Sequence, residues 1–290
     1  MTARLADFYI IGAMKCATST LHEQLARRSR FFMSEPKEPN FFNDLALYPA
    51  GMADYEKLFA AAKSDQITGE SSTHYTKLPT YQGTAERIFQ HTPQARLVYV
   101  MRDPVDRLVS QYIHQWTERA VDVPLSEAVR QLPEYISYSC YARQLAPFLE
   151  LFDKQQVMLV FFEHLVKNRA TELERVARFL GDSSSEPYEW KTEAAQTNVS
   201  KDRMRKSPWR EAVLSFPGAK MIKDALPGDV RERIKSFWRM EKRPSLDAAA
   251  ERYVKDAINR DLAVLGELTG LHINCDNFKE VASQAQPTLV

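Results

Sequence analysis

Several things are scarce in this chain. Among its 290 residues there are three cysteines, Cys16, Cys140 and Cys275. Their number is odd and their spacing fits neither a disulfide framework nor a zinc site, so reduced thiols in a cytoplasmic protein are expected. Charge of one sign is not in excess either. Thirty-nine Lys and Arg against 38 Asp and Glu leave a net charge of +1. No global basic field argues for nucleic acid, and local basic clusters suit a small anionic ligand better. No window reaches the roughly 18 apolar residues of a membrane span, and residues 1–7 hold no apolar targeting region, so no membrane partner is expected. Internal repeats, low-complexity tracts and clear metal-ligand clusters are missing too. What is present, 44% hydrophobic and 27% charged residues, suits the core of a large α/β domain and excludes a disordered chain.

Apolar runs at Phe8–Ile11, Gln66–Gly69, Arg96–Met101 and Val157–Phe162 predict strands. The last two are near-continuous, as expected of strands buried on both faces of a parallel sheet. Helical patterns cover Thr18–Arg28, Gln82–His91, Pro104–Glu118, Tyr138–Phe152, Leu165–Leu180, Pro227–Met240 and Leu246–Thr269. Asp103 before Pro104 is a start signal and Gly181 after Leu180 a stop signal. Strands alternating with helices imply βαβ units: an α/β fold with a central parallel sheet flanked by helices. Residues 1–276 are expected to form one domain and 277–290 a frayed tail. The polar, proline-broken stretch Ser183–Pro217 is expected to be a basic loop.

The most informative segment is Phe8–Leu21, FYIIGAMKCATSTL. A strand ends at Gly12, Lys15 follows, then Thr18, Ser19 and Thr20 open a helical pattern. Backbone N–H groups at a helix start, aided by a lysine, hold an anion. The Walker spacing G-x-x-x-x-G-K-[ST] is not met, because no glycine directly precedes Lys15. A second motif, Arg102-Asp103-Pro104 with Ser110 further on, lies where a buried strand gives way to a helix. Ligands of open α/β sheets bind at carboxyl strand ends, so Arg102 emerges beside the Lys15 loop and can hold a phosphate with Ser110. The same residues also fit a helix-capping box with a surface Arg–Asp pair. In Lys37-Glu38-Pro39-Asn40-Phe41-Phe42, Glu38 sits between prolines beside an aromatic pair. Partial burial would raise its pKa and suit it as a general base, though an ordinary exposed loop fits as well. His74, in Gly69-Glu70-Ser71-Ser72-Thr73-His74-Tyr75, is a second candidate base or a structural histidine.

Taken together, the ordered set G-x-x-K-x-[GA]-T-[ST]-x-L, K-E-P-x-F-F and R-D-P-x-x-R-x-x-S resembles the sulfotransferases that use 3′-phosphoadenosine-5′-phosphosulfate (PAPS). The chain is most similar to the bacterial branch related to the heparan sulfate enzymes of the N-deacetylase/N-sulfotransferase and 3-O types. The likeness runs from Phe8 to about Gly270 and includes Phe161-Phe162-Glu163-His164-Leu165 and Phe179-Leu180-Gly181. It implies the P-loop-like sulfotransferase fold, PAPS as donor without a metal, and a glycan or small-molecule alcohol or amine as acceptor. It implies that Lys15, Cys16, Ala17, Thr18, Ser19 and Thr20 hold the 5′-phosphosulfate, that Arg102 and Ser110 hold the 3′-phosphate, and that Glu38 is the catalytic base. Ala17 stands where glycine is frequent, which is tolerable if its φ is negative. Lys201 and Arg203 look like the family's nucleotide-closing loop, with Asp202 in place of glycine. Tyr141 is placed near the adenine. Ser71 stands where relatives carry a lysine.

Two rival functions remain open on the residues alone. A P-loop kinase of a small substrate would need a metal-binding carboxylate at a strand end. A non-catalytic nucleotide-binding protein would be expected to have lost the base or the loop lysine.

Overall fold

The computed structural model describes residues 4–48, 51–191, 240 and 242–290. Lys201, Arg203, the basic-loop residues from 192 onward and, apart from Met240, the helix expected over Pro227–Met240 lie outside the described residues.

Five parallel strands form the central sheet: β1 (Phe8–Gly12), β2 (Phe31–Met33), β3 (Ile67–Ser71), β4 (Arg96–Met101) and β5 (Val157–Phe161), in the order β2-β3-β1-β4-β5. β1 is central, with Phe8 opposite Gly69 on one side and Arg96 on the other. Its five residues are all buried. β5 is likewise buried throughout, and β4 apart from Arg96. Apolar runs of this kind need helices on both faces, which keep water from the sheet. Gly69 has a packing reason: a Cβ there would come within 2.1 Å of the Phe8 ring.

The helices among the described residues are α1 (Thr18–Ala26), α2 (Met52–Lys57), α3 (Thr84–His91), α4 (Pro104–Thr117), α5 (Leu125–Gln131), α6 (Glu134–Ser137), α7 (Tyr141–Leu149), α8 (Phe162–Lys167), α9 (Arg169–Phe179), α10 (Ala248–Thr269) and α11 (Phe278–Gln284). α4 starts as expected: the Asp103 carboxylate accepts the Asp106 N–H at 2.7 Å, with proline at the first turn. α10 buries Ala250, Val254, Ile258, Leu262 and Leu265, one stripe at three- and four-residue spacing. Its Asp261 accepts the Ala142 and Arg143 N–H groups, both at 2.9 Å, satisfying the first turn of α7.

Three expectations need correction. The helix expected over Leu165–Leu180 is two helices, broken at Asn168, whose φ of −121° and ψ of 51° are not helical. The helix expected from Tyr138 begins at Tyr141. Residues 278–284, expected as frayed, form α11, whose Phe278 and Ala282 are fully buried. The Phe278 ring packs 5.4 Å from that of Phe161, so a tertiary contact orders this end.

Candidate active site

The site begins where β1 ends. Gly12 passes so close to the neighbouring turn that a Cβ would stand 2.0 Å from Thr76 Oγ1, which itself donates to Ile11 O at 2.7 Å. Lys15 and Ala17 both adopt left-handed backbone, φ 70° and 65°. The condition under which alanine replaces glycine without strain, a negative φ at Ala17, is therefore not met. Each such non-glycine residue costs roughly 1–2 kcal/mol, and backbone that alternates hand in this way is the kind from which anion-binding concavities are built. No side chain caps α1 and no acid lies in its first turn. Its first amides and the positive end of its dipole are left to face an anion.

Thr18, Ser19 and Thr20 line the cleft above this loop, together with Met14, Lys15 and Ala17. Cys16 does not. Its side chain is fully buried beneath the loop, its N–H donates to Ala13 O at 3.2 Å, and burial pushes its thiol up to about 12. Of the loop residues expected to hold the 5′-phosphosulfate, Cys16 alone is absent from the cleft lining.

Arg102 leaves the end of β4 and enters the same cleft, its Nη1 donating to Lys15 O at 3.5 Å. The guanidinium lies over Phe162 at 4.7 Å and its Nε has no partner. Ser110, further along α4, lines the cleft as well. Tyr141, expected near a base, is instead buried. Its hydroxyl donates to Arg102 O at 2.5 Å and so pins the strand end. The aromatic walls of the cleft are Phe162 and Trp190. Trp190 is brought back to α1 by Gln24, which pairs with the Lys191 backbone in both directions at 2.9 and 3.0 Å.

Glu38 lines the opposite side. Its Oε1 accepts from Lys37 Nζ at 2.7 Å and its Oε2 from Thr73 Oγ1 at 3.2 Å. Burial alone would raise its pKa. The adjoining His74 ring and the Lys37 ammonium outweigh that and lower it to about 2. The elevated pKa expected of this carboxylate is thus absent, because it has cationic company as well as aromatic neighbours. His74 Nδ1 is 3.6 Å from Glu38 Oε2, and its Nε2 is 3.1 Å from Lys77 Nζ.

Lys77, Arg169, Phe162 and Trp190 belong to the cleft and were missed in the sequence. Lys77 had a legible signal. It follows His74 by three residues, across a 3₁₀ turn at Thr73–Thr76 whose period sets such residues on one face. Of the fourth motif, Thr73 and His74 reach the cleft. Glu70 and Ser71 are fully buried, Ser71 against His22 Nδ1 at 2.9 Å.

The cleft holds about 540 Å³ and its lining includes four cations, Lys15, Lys77, Arg102 and Arg169, against one carboxylate, Glu38. Burial lowers the pKa of Lys15, and the charges of Arg102 and the fully buried Arg107 lower it further. Arg107 finds neutral acceptors, Ser139 Oγ, Gln111 Oε1 and Tyr135 O. Burial lowers Lys77 to about 8. Desolvated ammonium groups such as Lys15 and Lys77, sharing one cleft with further cations, are what a polyanionic small ligand would relieve. Among the described residues no group of His, Cys, Asp or Glu could hold a metal ion, and no helix is long and apolar enough to cross a membrane.

The sulfotransferase domain family model matches residues 5–224, and the chain belongs to that family. Heparan sulfate glucosamine 3-O-sulfotransferase 3B1 of Mus musculus is 33% identical over 191 residues, 61% of this chain and 46% of that protein. The membrane-associated sulfotransferase kil1 of Dictyostelium discoideum is 32% identical over 133 residues, 44% of this chain and 27% of that protein. The chain thus spans about half or less of the length of these curated relatives. In fold it is similar to a sulfotransferase from Alicyclobacillus acidocaldarius, with a TM-score of 0.57 at 23% identity, covering 90% of this chain and 98% of the other.

Proposed function

We propose that the chain, α11 included, acts as one sulfotransferase unit that moves the sulfuryl group of PAPS to an acceptor hydroxyl or amine. The observation that carries this reading is one cleft holding the Lys15 loop, Arg102, Ser110 and Glu38 together. Lys15, Ala17 and the amides of Thr18, Ser19 and Thr20 would grip the 5′-phosphosulfate. Arg102 and Ser110, both in the cleft lining, would take the 3′-phosphate. Phe162 and Trp190 offer ring faces for the base. Lys201 and Arg203 would add charge from outside the described residues.

Glu38 accepts the acceptor's proton as the acceptor oxygen or nitrogen attacks sulfur in line. The electron pair of the breaking S–O bond goes to the 5′-phosphate, and Lys15 with the loop amides stabilises that growing charge. A carboxylate at about 2 is a poor base. An anionic donor beside it raises its pKa, so donor binding would ready Glu38 for the step. Lys77 is the further cation aimed at the reacting group, where Ser71 leaves a lysine missing. His74 orients Glu38 and is the alternative base.

A small-molecule kinase is disfavoured by the same lining. Its metal would need a free carboxylate, and Glu38 is engaged by Lys37. Radiolabelled PAPS offered with an acceptor panel, against ATP with magnesium, tests the reading. Label in product from PAPS supports it, and magnesium-dependent ATP consumption without sulfuryl transfer overturns it.

A further inference from the structure

We propose that α11, which lies beyond the residues 5–224 matched by the family model, is a working part of the donor site: its Lys279 occupies the Asp106 carboxylate and so leaves Arg102 free to meet the 3′-phosphate. Lys279 and Asp106 are positioning residues, which act through Arg102. The assignment rests on the donor reading above.

Asp106 follows Arg102 by four residues and lies in the first turn of α4. Its carboxylate draws three cations. Arg243 Nη2 reaches Oδ1 at 2.5 Å, and Lys279 Nζ reaches Oδ2 at 2.9 Å. Arg102 Nη2 lies 3.9 Å from that same Oδ2, within ionic reach but too far for a hydrogen bond. Lys279 and Arg102 therefore compete for one oxygen, and Lys279 holds it. Burial would raise the Asp106 pKa, but the Lys279 hydrogen bond and the charges of Arg243 and Arg102 more than offset that and lower it. The carboxylate is ionised at neutral pH, so the competition is between full charges.

The Arg102 head is held loosely by its other neighbours. Its Nη1 donates to Lys15 O at 3.5 Å, and its carbon lies 4.7 Å from the centre of the Phe162 ring. A guanidinium held in this way turns to the stronger anion, a phosphate in the cleft or a bare carboxylate four residues along the chain. Occupying that carboxylate removes the rival.

The Arg102 backbone, by contrast, is fixed, and α11 contributes to that as well. The Tyr141 hydroxyl donates to Arg102 O at 2.5 Å and accepts the Arg102 N–H at 3.3 Å. The Phe278 ring packs 6.3 Å from that of Tyr141 and 5.4 Å from that of Phe161 at the end of β5. Phe278 is fully buried, whereas the Lys279 side chain is 61% exposed. Two adjacent residues thus divide the work: Phe278 seats α11 against the sheet end, and Lys279 delivers its charge to Asp106. Beyond the helix, Gln286 Nε2 anchors the segment by donating to the buried Glu172 at 2.9 Å.

The test is calorimetric binding of adenosine 3′,5′-bisphosphate, with adenosine 5′-monophosphate, which lacks the 3′-phosphate, measured by competition. Lys279→Ala should weaken the bisphosphate roughly 5-fold, the scale of one partly exposed ion pair, and change the monophosphate by less than about 2-fold. Adding Asp106→Asn to Lys279→Ala should restore the native bisphosphate affinity, because the rival carboxylate is gone. In an Arg102→Ala background Lys279→Ala should have no further effect. An unchanged bisphosphate affinity in Lys279→Ala overturns the assignment. So does an equal loss for the two nucleotides, no recovery in the Asp106→Asn/Lys279→Ala protein, or an undiminished loss on top of Arg102→Ala. Failure of the native protein to bind the bisphosphate brings down the donor reading itself.

Discussion

Glu38 Oε2 and His74 Nδ1 stand 3.6 Å apart, with Lys77 Nζ behind the ring at 3.1 Å from Nε2. A lysine ammonium can only donate, so Nε2 accepts from Lys77 and Nδ1 is the ring nitrogen turned toward Glu38. One cation therefore engages the far side of the ring that faces the proposed base.

Replacing Glu38 tests that base. Glu38→Gln should lower turnover by roughly 10² or more. Because the free carboxylate lies at about 2, kcat/KM should show no acid limb from Glu38 above about pH 4. The limb in kcat, which reports the donor-bound form, should sit higher, since an adjacent anion raises a carboxylate's pKa. Near-normal turnover in Glu38→Gln removes it as the base and promotes His74.

Lys77 gives the basic side of the profile. Its pKa, lowered by burial to about 8, means that the ammonium is lost as pH rises through that value. Affinity for adenosine 3′,5′-bisphosphate should fall there, and binding near pH 8 should take up a proton, because the bound anion favours the charged form. Calorimetry in buffers of different ionisation enthalpy measures that uptake. Lys77→Met should weaken binding roughly 10-fold and abolish the uptake, while Lys77→Arg should restore the affinity. A proton uptake unchanged in Lys77→Met assigns it to another group.

Glu70 carries a stability cost. It is fully buried on β3, with Tyr75 donating to Oε1 at 2.5 Å and Oε2 unpartnered, and burial raises its pKa to about 8. The unfolded chain loses this proton near 4.5, the folded chain near 8. Folding is thus unpenalised below the lower value, loses stability as pH rises between the two, and levels off above the higher. Glu70→Gln keeps the shape without the charge. Its thermal midpoint relative to the native protein should rise from pH 5 to pH 8, and a constant difference contradicts the assigned shift.

Ala17 sits in left-handed backbone, φ 65°. Ala17→Gly should stabilise the fold by roughly 1 kcal/mol, read from denaturant midpoints, with turnover retained. A loss of stability would mean that the loop gains more from the Ala17 methyl than its conformation costs.

How much of this was legible follows from what each feature depends on. β4 and β5 could be read because burial on both faces leaves an unbroken apolar run. The start of α4 could be read because Asp103 and Pro104 act locally. β2 has three residues, too few for any period. α11 owes its order to Phe161, more than a hundred residues earlier. That Lys15 and Arg102 share a cleft was visible because strand ends place them on one edge, and Glu38 and Ser110 line that cleft with them. The backbone sign at Ala17, the burial of Cys16 and the pKa of Glu38 were not. They are set by loop curvature and by partners such as His74 that only folding brings near.

The most direct test of the central claim is transfer of radiolabelled sulfuryl from PAPS without added magnesium, comparing the native protein with Lys15→Ala. The native protein should yield labelled product heavier by one SO₃, and Lys15→Ala should be slower by roughly 10² or more. Equal rates in the two proteins, or phosphoryl transfer from ATP with magnesium and no sulfuryl transfer from PAPS, would contradict the account.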